Sequence, residues 1–238
     1  MFKRLIAGPE SQATHLNRNY RKDGSVIWVE WHNSALRDEA GNLVSILSLA
    51  QDVSSRIQAE ERLQYMATHD GLTGLPNRLV LGDRLSGALA RAQRSGHGMA
   101  VLFLDLDHFK DVNDTLGHKV GDELLRSLSR RIRGTLRQTD LLVRISGDEF
   151  VVVLEDLESE GGPDRVAQKI LDEVLRPFPI EGHEVQVSAS LGYAVHPEDG
   201  ADPETLLKNA DAAMYHAKEL GRNSYRAFSR SLAQRRDQ

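Results

Sequence analysis

The chain has 238 residues, 40 % of them hydrophobic, a formal net charge of −5 and no cysteine. That length holds one large domain, or one domain plus a smaller segment, with apolar material enough for a core. The charge favours neither nucleic acid nor a membrane surface as partner; the missing cysteine excludes disulfides and thiolate metal sites and fits a cytoplasmic location. Apolar stretches are strand-length, far below the ~20 residues a spanning helix needs, so no membrane is expected in this fragment. Met1 to Ile6 is too short and too charged for a secretory signal.

The first fifty residues read as antiparallel β. Asp23-Gly24 signals a turn. Val26 to Leu36 follows as a strand, with Trp28 and Trp31 on opposite faces. Asp38 to Asn42 makes a second turn and Leu43 to Ala50 a third strand. A polar helix is predicted over Ser55 to Ala67, opening on the capping-box pattern Ser55-Arg56-Ile57-Gln58. Its apolar stripe, Ile57, Leu63, Met66 and Ala67, is narrow and suits at most the seam of a two-helix contact.

After a turn-rich joint, His69 to Arg78, the spacing of Leu81, Leu85, Leu89 and Ala92 predicts a helix over Leu79 to Arg94. Met99 to Leu104 is a continuous apolar run, the mark of a strand covered on both faces. A helix over Gly121 to Leu136 turns Leu125, Leu128, Ile132 and Leu136 inward. Leu141-Leu142-Val143 and Val151 to Leu154 flank Ser146-Gly147 as the strands of a β-hairpin. Val166, Ile170 and Val174 mark another helix. Val185, Val187, Ala189 and Leu191 alternate as a strand. Leu206, Leu207, Ala210, Ala213, Met214 and Ala217 line a late helix, and Tyr225 to Phe228 adds an edge strand. The expected class is an α/β sandwich with a mostly antiparallel sheet.

Chemistry gathers in two places. The hairpin tip carries Asp148 and Glu149 beside Gly147. Acidic turn residues are common, yet such a tip also suits a hydrated metal with backbone close to phosphate. The buried strand ends in Asp105-Leu106-Asp107, two carboxylates on one face. Either the strand has simply reached water, or these charges need a cation. In the second case Asp105 and Asp148 share Mg²⁺, a hard ion that takes oxygen ligands and leaves room for substrate phosphates.

Five ordered blocks resemble the GGDEF domain of diguanylate cyclases. They are Asp70 to Arg78; Phe103 to Asp114; Gly117 to Asp122; Arg144 to Phe150; and Ala210 to Asn223. Such a set is far more specific than any one motif. The resemblance implies a fold like the polymerase palm and the nucleotide-cyclase catalytic domain. It implies condensation of two GTP into cyclic di-GMP with release of pyrophosphate, dependent on Mg²⁺ or Mn²⁺, in a homodimer. Asp105, Asp148 and the carbonyl of Leu106 would hold metal. Asp148 would serve as base, with Glu149 beside it and Lys110 stabilising the phosphoryl group in transfer. Asn113 and Asp122 would bind guanine, His118 would lie along the substrate, and Gly147 would lie against phosphate. Lys218 and Arg222, four apart and so on one face of a helix, would grip the β and γ phosphates; a solvated basic face is the plainer reading.

Arg137-Gln138-Thr139-Asp140 matches the family's RxxD site, where cyclic di-GMP binds and inhibits; otherwise it is an ordinary surface ion pair. Ser146 departs from the family's first glycine, at a cost only if the turn needs positive φ there. That departure leaves open a weak or inactive module that binds GTP or cyclic di-GMP and regulates a linked domain. The amino-terminal strands resemble the second half of a PAS sensor domain. The implied organisation is a partial PAS segment over 1–53, a signalling helix over 54–68, the GGDEF domain over 69–230 and a tail over 231–238.

Overall fold

The structure, a computed structural model, describes residues 12–157 and 162–229; the expected tail at 231–238 and the first six residues lie outside them. The chain divides into two compact units, the first running to Tyr65 and the second starting at Met66.

In the first unit, β1 (Gln12–Tyr20), β2 (Val26–Arg37) and β3 (Leu43–Asp52) form an antiparallel meander. The Asp23 carboxylate accepts from the Ser25 amide at 2.9 Å and closes the first turn, with Gly24 at φ 83°. Cross-strand register sets Arg18 opposite Trp28 and His15 opposite Trp31. The guanidinium lies 5.1 Å from the first ring, and the second pair stacks at 6.4 Å. Helix α1 (Ser54–Thr68) starts one residue earlier than predicted. Ser55 therefore sits inside the first turn and does not cap it. Asp52 instead accepts from the Ser54 amide at 3.0 Å, and no residue of α1 is buried.

The second unit is built on β4 (Gly98–Asp107). It lies in the middle of a five-stranded sheet, order β10-β9-β4-β6-β5, whose strands are β5 (Leu141–Ser146), β6 (Glu149–Leu157), β9 (Ser188–His196) and β10 (Ser224–Ala227). All pairings are antiparallel except β10 with β9. Period-two alternation assigns each residue of β4 to one of two cores. Ala100, Leu102, Leu104 and Leu106 face α4 (His118–Thr135) and α5 (Gly162–Leu175); Met99 and Val101 face α2 (Arg78–Ser95) and α6 (Pro203–Glu219). Asp105 and Asp107 continue the second series where its apolar cover ends.

Three predicted elements shift. Helix α3 (Phe109–Leu116) was not foreseen, and α4 begins at His118 instead of Gly121. Gly117, at φ 86°, separates the two helices. Val185 belongs to a small hairpin of β7 (Phe178–Ile180) and β8 (His183–Val185), and β9 starts only at Ser188. The alternation of valines runs through the intervening turn, so it could not mark the break. In α2, Asn77 accepts from the Leu79 and Val80 amides at 3.0 and 3.4 Å, so the helix starts at Arg78.

Gly192 lets α6 approach β9. A Cβ there would overlap the backbone of Met214 and of Ala210. Backbone cannot swing aside, so Gly192→Ala should destabilise the second unit by about 3 kcal/mol or more, read as a lower midpoint in urea at unchanged slope.

Candidate active site

The acidic hairpin is held from behind by Arg144. Its Nε and one terminal nitrogen donate to the Gly147 carbonyl at 2.9 and 2.7 Å; the other terminal nitrogen donates to Asp70 at 2.7 Å. The Arg144 amide donates to the Pro76 carbonyl at 3.1 Å. Asp70 also accepts from the Thr73 amide and hydroxyl at 2.8 and 2.6 Å. The Asp70 to Arg78 joint is thus the buttress of the turn. Burial pushes the Asp70 carboxyl up, but hydrogen bonds from Thr73 and Arg144 outweigh it and hold the group below its ordinary value.

The turn itself is unstrained at its unusual residue. Gly147 has φ 48°, whereas Ser146 is not among the residues of positive φ. Ser146 ends β5 opposite Glu149, and its hydroxyl donates to the Glu149 carboxylate at 2.8 Å. Only the second position of this turn calls for glycine.

Register puts Asp105 of β4 opposite Glu149 of β6, which places it beside the turn that carries Asp148. Asp105 is 8 % exposed. Burial drives its carboxyl up to about 6; the Lys218 ammonium opposes this and the Asp148 charge adds to it. Asp148 is also raised, chiefly by burial, with Lys218 opposing. Lys218, from the last turn of α6, sits 2.7 Å from Asp105. Buried Asp105, part-buried Asp148 and one ammonium therefore form a single electrostatic unit. Their oxygen donors fit a hard divalent cation, and Lys218 occupies the place of positive charge there. Among the described residues no cluster of three or more His, Asp or Glu closes a metal cage, so substrate oxygens would have to complete any shell.

The remaining residues separate into groups. Lys110 and Asn113 lie three apart on α3, and His118 and Asp122 four apart on α4. Gly121 joins the two helices: its missing Cβ leaves room for the Asn113 amide oxygen, which a methyl would overlap. Both Gly121 and Arg144 lie in blocks that resemble the family, but sequence reasoning gave neither of them a role. Arg222 corrects the expectation of a shared helix face with Lys218. Helix α6 ends at Glu219, and Arg222 lies in the turn beyond, at φ 63°, after Gly221 at φ 114°. Glycine after the last apolar residue stopped the helix. Asp107 is engaged by Ser188, Ser190 and the Asn223 amide; Leu106 is buried.

At the RxxD segment the side chains make no ion pair with each other. The Asp140 carboxylate accepts from the Arg137 amide at 2.9 Å, and Arg133 donates to the Asp140 carbonyl at 2.8 Å. Arg137 and Asp140 line a cavity of about 240 Å³ that Arg165 also borders.

A mostly antiparallel sheet flanked by helices, with a clamped acidic hairpin facing a strand-end aspartate, defines a nucleotide-cyclase-like domain. Residues 67–224 match the family "diguanylate cyclase, GGDEF domain", and the chain belongs to it. The bifunctional diguanylate cyclase/cyclic di-GMP phosphodiesterase MucR of Pseudomonas aeruginosa is 46 % identical over 179 residues, which cover 75 % of this chain and 26 % of MucR. The chain spans about a quarter of the length of the first curated relatives it matches. Among solved structures, the GGDEF domain of TpbB (YfiN) from the same organism superposes with a TM-score of 0.70 at 42 % identity, covering 71 % of this chain and 99 % of that one. The coiled coil and GGDEF domain of DgcB from Caulobacter crescentus, solved with cyclic di-GMP, gives 0.66 at 30 % identity over 74 % of this chain and 93 % of that one.

Removing Asp70 leaves the Arg144 guanidinium short of one partner. Because Asp70 is a quarter exposed, Asp70→Asn should cost about 2 kcal/mol, below the ~3–5 of a fully buried pair. The lowered carboxyl stabilises the fold above its ordinary pKa. Denaturant melts at several pH values should therefore show the wild-type advantage intact at neutrality and shrinking as pH falls below about 4.

Proposed function

We propose that this chain is a diguanylate cyclase that joins two GTP into cyclic di-GMP, acting as a homodimer with one GTP per subunit. What supports this most is the unit formed by buried Asp105, Asp148 on its clamped turn, and Lys218. In this reading each ribose 3′-hydroxyl attacks the α-phosphorus of the facing nucleotide. A P–O bond forms there, the bond to the β-phosphate bridging oxygen breaks, and pyrophosphate leaves. Two such transfers close the ring, and holding the two nucleotides face to face supplies most of the rate.

Asp148 takes the hydroxyl proton as general base. Asp105, Asp148 and the Leu106 carbonyl would hold Mg²⁺ or Mn²⁺, which when bound supplies positive charge at the phosphates. Glu149, tied to Ser146, adds negative charge at the same edge. Lys110, on the exposed first turn of α3, neutralises charge on the phosphoryl group. Asn113 and Asp122 hydrogen-bond guanine, with His118 along the substrate, and Gly147 leaves the turn open to phosphate. Lys218 and Arg222 hold the β and γ phosphates. Product at Arg137 and Asp140 restrains synthesis. The amino-terminal unit acts as the second half of a PAS sensor, joined through α1.

The reading of a binding-only module rested on Ser146. Its backbone lies outside the positive-φ region, which speaks against strain as a source of inactivity, and Ser146→Gly should leave turnover within about twofold. Asp148→Asn should lower cyclic di-GMP formation from GTP by about a thousandfold while GTP still binds; chromatography of nucleotides and calorimetry read the two. Undiminished product would refute the assignment of Asp148. Gly121→Ala should push Asn113 off its position and raise KM for GTP about tenfold, the worth of one or two hydrogen bonds, with kcat little changed.

A further inference from the structure

We propose that Asp107 is a positioning residue for phosphate recognition: its buried carboxylate holds the turn that presents Arg222. The proposal rests on the reading of Arg222 as a ligand of the β and γ phosphates.

Asp107 is 3 % exposed. One oxygen accepts from the Ser190 hydroxyl at 2.7 Å; the other accepts from the Ser188 hydroxyl at 2.7 Å and the Asn223 amide at 3.1 Å. Three donors largely saturate a carboxylate, so the second aspartate of Asp105-Leu106-Asp107 is spoken for by protein. Two donors are on neighbouring β9. The third is backbone of the turn between α6 and β10, and it is the informative one.

That turn is conformationally costly. Gly221, Arg222 and Asn223 have φ values of 114°, 63° and 43°. Two successive side-chain-bearing residues in the left-handed region persist only where surrounding contacts hold them. The contacts here are the Arg222 amide on the Ala217 carbonyl at 3.1 Å and the Asn223 amide on Asp107. The result is an exposed Arg222 whose guanidinium has no partner among the described residues. A strained, doubly anchored turn that displays a free guanidinium is what preorganised anion recognition requires. The geometry also links the two aspartates of β4 to the same stretch of chain. Asp105 contacts Lys218 directly at 2.7 Å, and Asp107 reaches the residue after Arg222 through backbone.

A mere sheet staple would affect stability alone, so the test reads phosphate selectivity. Calorimetry should compare the unreactive α,β-methylene analogue of GTP with GMP in wild type, Asp107→Asn, Arg222→Ala and the double variant. Arg222→Ala is expected to weaken the triphosphate about tenfold, one charge-assisted contact, and to leave GMP unchanged. Asp107→Asn should weaken the triphosphate several-fold with GMP again unchanged, and the double variant should bind no worse than Arg222→Ala. Equal losses for both nucleotides in Asp107→Asn, or additive losses in the double variant, overturn the proposal. An Arg222→Ala variant that keeps its preference for triphosphate overturns the reading of Arg222 itself. Should Asp107→Asn not fold, Asp107→Ser keeps a hydrogen-bonding oxygen too short to reach the Asn223 amide and should weaken the triphosphate several-fold with GMP unchanged; unchanged triphosphate affinity in it counts against the proposal.

Discussion

A buried guanidinium, Arg144, is what allows two acidic residues to stand side by side at the tip of a hairpin. Asp148 and Glu149 repel each other and Asp105 across the sheet, and burial disfavours the charges of Asp148 and Asp105. Left alone, such a turn would open to hydrate its charges. Arg144 prevents this by binding the turn's backbone at Gly147 while its own charge is met by Asp70. The arrangement is one of alternating sign: carboxylates outside, guanidinium beneath, a second carboxylate behind. Each layer is tolerable only because the next is in place.

The sheet turns this local balance into a site. Strand β4 runs through its middle and is buried on both faces, so its register with β6 and β9 has no freedom to slip. Asp105 and Asp107 emerge on the same face two residues apart, yet their surroundings divide them. Asp105 meets a mobile kind of partner, a lysine; Asp107 meets hydroxyls and an amide that cannot leave. One charge stays available and the other is consumed by structure. The small residues do similar work: Gly192 sets the depth of α6 on the sheet, and Gly121 sets α3 against α4 around Asn113.

Much of this was legible beforehand. Helical periodicity located α2, α4 and α6, and the apolar run of β4 announced a strand covered on both sides. The order of motifs gave the family. Register could not be read, because pairing of β4 with β6 depends on contacts far apart in sequence. Arg144 was hidden because an arginine in a strand looks like surface, and its buried partners lie in a distant turn. Helix α3 was missed because it is eight residues long and buries none of them, so it carries no full apolar period. Arg222 was misplaced since four-residue spacing implies a helix only while the helix lasts, and Gly221 ends it.

Lys218 leaves the acidic edge near charge balance without using up its own charge. An ammonium carries three hydrogens, and its contact with Asp105 at 2.7 Å engages only part of that capacity. On the proposed reading of Lys218 as a phosphate ligand, one cation would be shared between aspartate and nucleotide, and the contact that shields the acid would also aim positive charge at the arriving triphosphate.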